Sequence, residues 1–232
     1  MFNFKKKKKS DERGNPLVSY SEPMSIHAEQ FRNIRTNIDF AMLDTDLSSL
    51  LVTSSVPSEG KSTIASNLAY VLSQTNKNVL IVDADLRKPT VHKTYRLNNQ
   101  SGLTTLLSQP NLKFNQIVQR SNDLGLYLLP SGPIPPNPSE LLSSGRMQSL
   151  MKELNENFDV VIYDTPPVNT VTDPLILANR VDGVVIVARQ GYVKREQIRK
   201  SIDSLRKLDS NILGYVLNSV PLAKDHTYYE YS

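Results

Sequence analysis

Apolar residues along this chain fall into two alternating rhythms. Short unbroken apolar runs predict strands at Leu50–Thr53, Val79–Val82, Leu126–Leu129, Val160–Tyr163, Val184–Ala188 and Ile212–Leu217. Other stretches carry apolar residues at helical spacing. Between Ser25 and Leu43 these are Ile26, Phe31, Ile34, Ile38 and Met42. Ile64–Leu72 and Lys194–Leu208 also have helical length and composition. Strands that alternate with helices predict a single α/β domain, with a mostly parallel sheet flanked by helices on both faces.

The ends of the chain leave this pattern. Residues 1–22 read as a flexible basic arm, residues 23–222 as the folded domain, and residues 223–232 as a polar tail. Ser131–Pro138 is rich in proline but too short to link two domains, so it predicts an ordered loop.

Composition changes this picture in three places. The chain has no cysteine, which removes disulfides, thiolate nucleophiles and cysteine metal sites together. Its three histidines, His27, His92 and His226, are too scattered to suggest a metal cluster. The net charge of +4 is already supplied by Lys5–Lys9 and Arg13 less Asp11 and Glu12, so the rest of the chain is neutral. A neutral body argues against a nucleic-acid footprint. The five lysines beside Phe2 and Phe4 suit either an anionic membrane surface or a solvated tail. No apolar run has the length of a membrane span, and the basic start lacks an apolar leader, which predicts a cytoplasmic protein.

The first predicted strand runs into Ser55-Val56-Pro57-Ser58-Glu59-Gly60-Lys61-Ser62-Thr63, and a predicted helix follows. A loop in that position aims backbone N–H groups and a helix N-terminus at one spot, which suits a phosphate. Gly60 lets the backbone approach, Lys61 can reach the β- and γ-phosphates, and the Ser62 hydroxyl is placed for Mg²⁺. The pattern departs from G-x-x-x-x-G-K-[ST] at its first glycine, where Ser55 stands.

Two further strands end in acids. Val79–Val82 delivers Asp83-Ala84-Asp85-Leu86-Arg87, and Val160–Tyr163 delivers Asp164-Thr165-Pro166-Pro167. Ligands of an open α/β sheet sit beyond the carboxyl ends of its strands, so these acids should face the Gly60 loop. Any one of them alone would more often be a helix cap or a turn residue. Together they suit Mg²⁺ coordination, through Asp83 and Asp164 with Ser62, and acceptance of a hydroxyl proton, for which Asp83 is the candidate. Along a straight strand Asp83 and Asp85 would point the same way. Arg87 either balances phosphoryl charge or neutralises the acids structurally.

Tyr228, Tyr229 and Tyr231 fall within the last five residues. An even spread of the chain's 10 tyrosines would place about 0.2 there, so the cluster is a compositional signal. Such rings act either as accessible phosphoacceptors beside Glu230 or as aromatic contacts for a partner.

These motifs, in this order from about Glu29 to the C-terminus, resemble the bacterial tyrosine kinases of the capsule and exopolysaccharide CpsD/CapB type. The resemblance rests on the Thr53–Ser62 loop, Asp83-Ala84-Asp85-Leu86-Arg87-Lys88-Pro89-Thr90 and Asp164-Thr165-Pro166-Pro167. It rests also on Ser131–Pro138 with Glu140-Leu141-Leu142, and on the tyrosine tail. Ser58 departs from it, because the family usually has glycine there.

The resemblance implies a P-loop NTPase-like fold and an ATP- and Mg²⁺-dependent kinase that phosphorylates its own tail tyrosines and other proteins. It implies an activator, a membrane-embedded polysaccharide chain-length regulator that would hold the kinase at the inner face of the membrane. It further implies a ring of identical subunits, with E-x-x-R-x-x-R as the contact, read here as Glu29, Arg32 and Arg35. Without the family, those charges are an exposed helix face with weak local pairs. The principal rival is a partitioning or cell-division ATPase, whose extra loop lysine would fall at Val56. A small-molecule kinase and a nucleotide-binding scaffold are the others.

Overall fold

The computed structural model describes residues 14–43 and 47–221. Helices α1 (Val18–Ser21) and α2 (Ile26–Leu43) precede strand β1 (Ser49–Ser54), helix α3 (Lys61–Ser73) and strand β2 (Val79–Asp83). Two short helices follow, α4 (Val91–Thr94) and α5 (Leu103–Ser108), then β3 (Gln119–Ser121) and β4 (Leu126–Leu129). The second half runs through α6 (Pro138–Ser143), α7 (Gly145–Asn157), β5 (Val160–Asp164), α8 (Asp173–Ala178) and β6 (Gly183–Arg189). It closes with α9 (Arg195–Arg206) and β7 (Ile212–Asn218).

Each predicted strand is present, and all but Leu126–Leu129 run one residue further at one or both ends. The strands form one seven-stranded sheet in the order β3-β4-β2-β5-β1-β6-β7. All neighbours are parallel except β3 with β4. β3 is the strand the sequence hid. Gln119-Arg120-Ser121 is polar, and it pairs on the sheet edge where neither face needs an apolar side chain.

Side chains alternate across a strand, so β1, β2 and β5 feed two separate cores. Leu51, Leu80, Val82 and Tyr163 pack against α5–α9 on one face. Leu50, Val52, Ile81 and Ile162 pack against α2, α3 and α4 on the other. Burial on both faces explains why these strands read as continuous apolar runs. Each buried Leu or Ile contributes roughly 1.5–3 kcal/mol.

The amino-terminal boundary differs from the expectation of an arm through residue 22. Residues 14–22 lie on the body: Asn67 of α3 donates from Nδ2 to the Pro16 carbonyl at 2.9 Å and accepts the Ser19 N–H at Oδ1, also at 2.9 Å. Tyr20 stacks edge-on against Tyr70 with ring centroids 5.6 Å apart. The Lys5–Lys9 run, the side chain of Met42, and the tail with Tyr228, Tyr229 and Tyr231 lie outside the described residues.

Candidate active site

The loop between β1 and α3 is held from behind. Glu59 is fully buried, and its carboxylate accepts the Val56 N–H at 2.7 Å and the Arg189 N–H at 3.1 Å. The Asn218 side chain donates to the Glu59 carbonyl at 2.8 Å, which ties the end of β7 to the loop. Gly60 has φ +91°, and a Cβ there would overlap the Asn218 amide, so both backbone and space require glycine. Ser58 has φ +67°, a left-handed conformation that suits the glycine usual in the resembling family.

A cleft of about 420 Å³ opens over this loop. Pro57, Ser58, Gly60, Lys61, Ser62 and Thr63 line it. Ser55, Val56 and Glu59 do not; Ser55 and Glu59 are buried beneath the loop, and Val56 is held by its N–H. Their part is to shape the cradle.

The acids converge by topology. β2 and β5 are adjacent and in register, with Asp83 beside Asp164. Asp85 reaches the same point from the loop that follows β2. Lys61 Nζ stands 3.0 Å from Asp85 Oδ2, 3.3 Å from Asp164 Oδ1 and 3.1 Å from Ser62 Oγ. Burial pulls the Lys61 pKa down, but the charges of Asp164 and Asp85 outweigh it, so the ammonium is held more firmly than usual.

Asp83 and Asp85 do not point the same way. β2 ends at Asp83, so the two-residue period goes no further. Asp83 Oδ2 accepts the N–H groups of Thr90 and Val91, both at 2.9 Å, at the start of α4. Asp85 turns to Lys61, and its Oδ1 accepts the Lys88 N–H at 3.0 Å. Burial, reinforced by Asp164, pushes the Asp83 carboxyl up to about 8. Burial also raises Asp164, while Lys61 opposes that rise.

Two carboxylate oxygens, Asp83 Oδ1 and Asp164 Oδ2, are buried without a partner among the described residues. A hard cation would satisfy such oxygens. Among the described residues, no group of three or more His, Asp or Glu is placed to hold a metal by itself. Mg²⁺ fits this set, because it commonly takes one or two protein oxygens and completes its shell with water and phosphate.

Arg87 settles one alternative. Its Nε and Nη2 donate to Asp173 Oδ2 and Oδ1 at 2.8 and 3.0 Å, and Nη2 also reaches Ser139 Oγ at 3.0 Å. The acid it neutralises is therefore Asp173, at the start of α8, which stands outside the predicted site residues. Asn15 and Thr90 also line the cleft; Thr90 closes the Asp83–Thr90 motif, whereas nothing in the sequence near Asn15 signals its place there. Glu29, Arg32 and Arg35 lie on α2, away from the cleft lining. Arg32 pairs with Glu29 at 2.6 Å, and Arg35 donates to the Val71 carbonyl of α3 at 3.1 Å.

A parallel sheet, a strand–loop–helix cradle ending in Gly60-Lys61-Ser62, and acids at neighbouring strand ends define a P-loop NTPase, a class that binds nucleotide. A family model described as "ParA: NUBPL iron-transfer P-loop NTPase" matches residues 48–231. The tyrosine-protein kinase YwqD of Bacillus subtilis (strain 168) is 47% identical over 215 residues, covering 93% of this chain and 90% of that protein. The solved kinase domain of Escherichia coli tyrosine kinase ETK superposes with a TM-score of 0.86 at 32% identity, over 95% of this chain and 86% of that one. The chimerical protein CapA2B2 superposes with a TM-score of 0.84 at 39% identity, over 92% of each chain.

The chain belongs to the ParA-type P-loop NTPases and, within them, to the bacterial tyrosine-protein kinases. Iron transfer does not carry over from the family model's description, because a chain without cysteine has no thiolate for an iron–sulfur cluster.

Proposed function

We propose that this kinase transfers the γ-phosphoryl group of ATP to its own Tyr228, Tyr229 and Tyr231 and to tyrosines of other proteins. The observation that carries this reading is Lys61, held between Asp85, Asp164 and Ser62 over a phosphate cradle. Phosphoryl transfer needs little covalent help, so positioning and neutralisation of charge are what the site must supply. Backbone N–H groups at Gly60–Thr63 would receive phosphate oxygens, and the Lys61 ammonium would turn from the acids toward the β- and γ-phosphates. Mg²⁺, held by Ser62 and Asp164 with Asp83 beside them, would neutralise phosphate charge. Asp83 is the candidate to receive the phenolic proton in the loaded site, where Mg²⁺ beside it would hold the carboxyl ionised; its Oδ1 has no other partner among the described residues.

The tail has the reach this requires. Asn218 is bonded to the loop, so the chain leaves β7 beside the cradle. From Pro221 to Tyr229 it spans at most about 27 Å, at roughly 3.4 Å per residue. That length serves its own site or a neighbour's, and the family resemblance favours the neighbour within a ring. We place the kinase in the cytoplasm at the inner face of the membrane. There it would act with a membrane-embedded chain-length regulator to control capsular or exopolysaccharide synthesis and export.

A partitioning-type switch would need a second loop lysine where Val56 stands with its N–H held by Glu59. The test is incubation of the chain with Mg²⁺ and labelled ATP, with and without the regulator's cytoplasmic segment, followed by mapping of the label. Label on the tail tyrosines that vanishes in Lys61→Met supports the reading. Hydrolysis of ATP with no label on protein overturns it.

A further inference from the structure

The acids of the cleft are sealed from solvent: Asp83 and Asp164 are 0% exposed and Asp85 is 5% exposed. The rim beside them is positive instead. Arg87 and Lys88 are exposed and both line the cleft. Arg87 spends much of its charge on the buried Asp173 carboxylate, which also accepts the Ser139 hydroxyl at 2.6 Å. Lys88 has no acidic partner among the described residues. Its backbone is nevertheless fixed, since its N–H donates to Asp85 Oδ1. An unpaired cation on a rigid root therefore stands at the rim.

Topology says which side of the reaction that rim serves. β5 lies between β1 and β2 in the sheet, so the phosphate loop after β1 and the Arg87-Lys88 loop after β2 are two strand spacings apart. That separation is roughly 10 Å. In-line transfer puts the attacking and leaving oxygens on opposite sides of the phosphorus. Phosphates over the β1 loop leave the β2 side to the acceptor.

We propose that Lys88, backed by the Arg87–Asp173–Ser139 clasp, selects acceptor tyrosines that carry a carboxylate next to them in sequence. The chain supplies such an acceptor itself, because Glu230 stands between Tyr229 and Tyr231. Adjacent Cα atoms are about 3.8 Å apart, so a carboxylate beside the reacting tyrosine falls within a lysine's reach. The inference rests on the kinase reading and adds its substrate class. Because the pair would sit at a solvated rim, its effect is modest and sensitive to salt.

The experiment is a competition in one tube. Wild-type full-length kinase and Mg-ATP receive equal amounts of two differently tagged Lys61→Met chains, one with Glu230 and one with Glu230→Lys. The ratio of label on the two acceptors is their specificity ratio, whatever the total rate. Wild type should favour Glu230 about three- to tenfold, less at high salt, and Lys88→Glu kinase should reverse the preference. A ratio near one with both kinases overturns the proposal. So does a raised KM for ATP in Lys88→Glu with the ratio unchanged, which assigns Lys88 to the nucleotide. No label on any chain, the wild-type tail included, overturns the kinase reading itself and this inference with it; label on the wild-type tail alone makes transfer intramolecular and overturns selection between acceptor chains.

Discussion

Lys61 and Asp85 meet at 3.0 Å, Nζ to Oδ2, across the gap between the start of α3 and the loop after β2. Asp164 shares the same ammonium at 3.3 Å, so one cation balances two nearly buried acids. Lys61→Met removes that balance and the cation for developing phosphoryl charge at once. Transfer to the tail should fall by roughly 10²–10³ or more, measured by label on Tyr228, Tyr229 and Tyr231. Normal labelling of the variant would end the kinase assignment.

Asp83 makes stability depend on pH in an unusual direction. Its folded pKa, pushed up to about 8 by burial and Asp164, lies above the ordinary value of 3.8. Between those values the folded chain holds a proton that the unfolded chain has lost. The contribution of Asp83 is therefore fully present below about pH 4 and is lost as pH rises toward 8. Asp83→Asn keeps an oxygen for the Thr90 and Val91 N–H groups and removes the charge. Urea unfolding at pH 6 and pH 8.5 should show a smaller loss in Asp83→Asn than in wild type. Equal losses would mean that Asp83 is ionised throughout.

Ser58 sits at φ +67° without the freedom of glycine. A side chain in that region costs about 1–2 kcal/mol, part of which glycine returns as extra entropy of the unfolded chain. Ser58→Gly should stabilise the protein by about 0.5–1 kcal/mol, seen as a rise of roughly 1–4 °C in Tm. A lower Tm would show that the Ser58 side chain contributes more than its backbone strain removes.

Asp173 is fully buried and bound to Arg87 and Ser139. Asp173→Asn leaves the guanidinium without its counter-charge and one hydrogen bond mismatched. The expected loss is about 2 kcal/mol, at the low end for a buried pair because the Arg87 side chain is 38% exposed. A double-mutant cycle with Arg87→Leu checks it: a coupling near zero would mean that the two side chains act independently.

Arg32 is the better probe of the proposed ring contact. Arg35 also ties α2 to the Val71 carbonyl, so its removal loosens the subunit itself. Among the described residues, the Arg32 side chain pairs only with Glu29 and the Pro23 carbonyl, both local. Arg32→Ala should shift the unphosphorylated protein to monomers by light scattering, with Arg32→Ala and Arg35→Ala together doing so more completely. Masses equal to wild type in both would remove the case for α2 as an interface.

Much of this protein was legible in one dimension because its chemistry is local. A strand buried on both faces must be an apolar run, so Leu50–Val52 and Val79–Val82 announced themselves. The phosphate loop is a continuous segment whose function depends on backbone shape, and Gly60-Lys61-Ser62 carries that shape in its residue types. Strand-end acids could be placed beside it because parallel strands end on a common edge. What only the tertiary structure decided depends on residues distant in sequence. Glu59 looks like one more loop residue until Arg189 and Asn218 close over it from β6 and β7. Arg87 looks like a partner for Asp83 and Asp85 until α8 brings Asp173 to it from 86 residues away. Asp83 and Asp85 look equivalent until the strand stops between them. Periodicity reports which face a residue takes within its own element. Which group neutralises a buried charge is settled by elements meeting in space, and no local pattern encodes that.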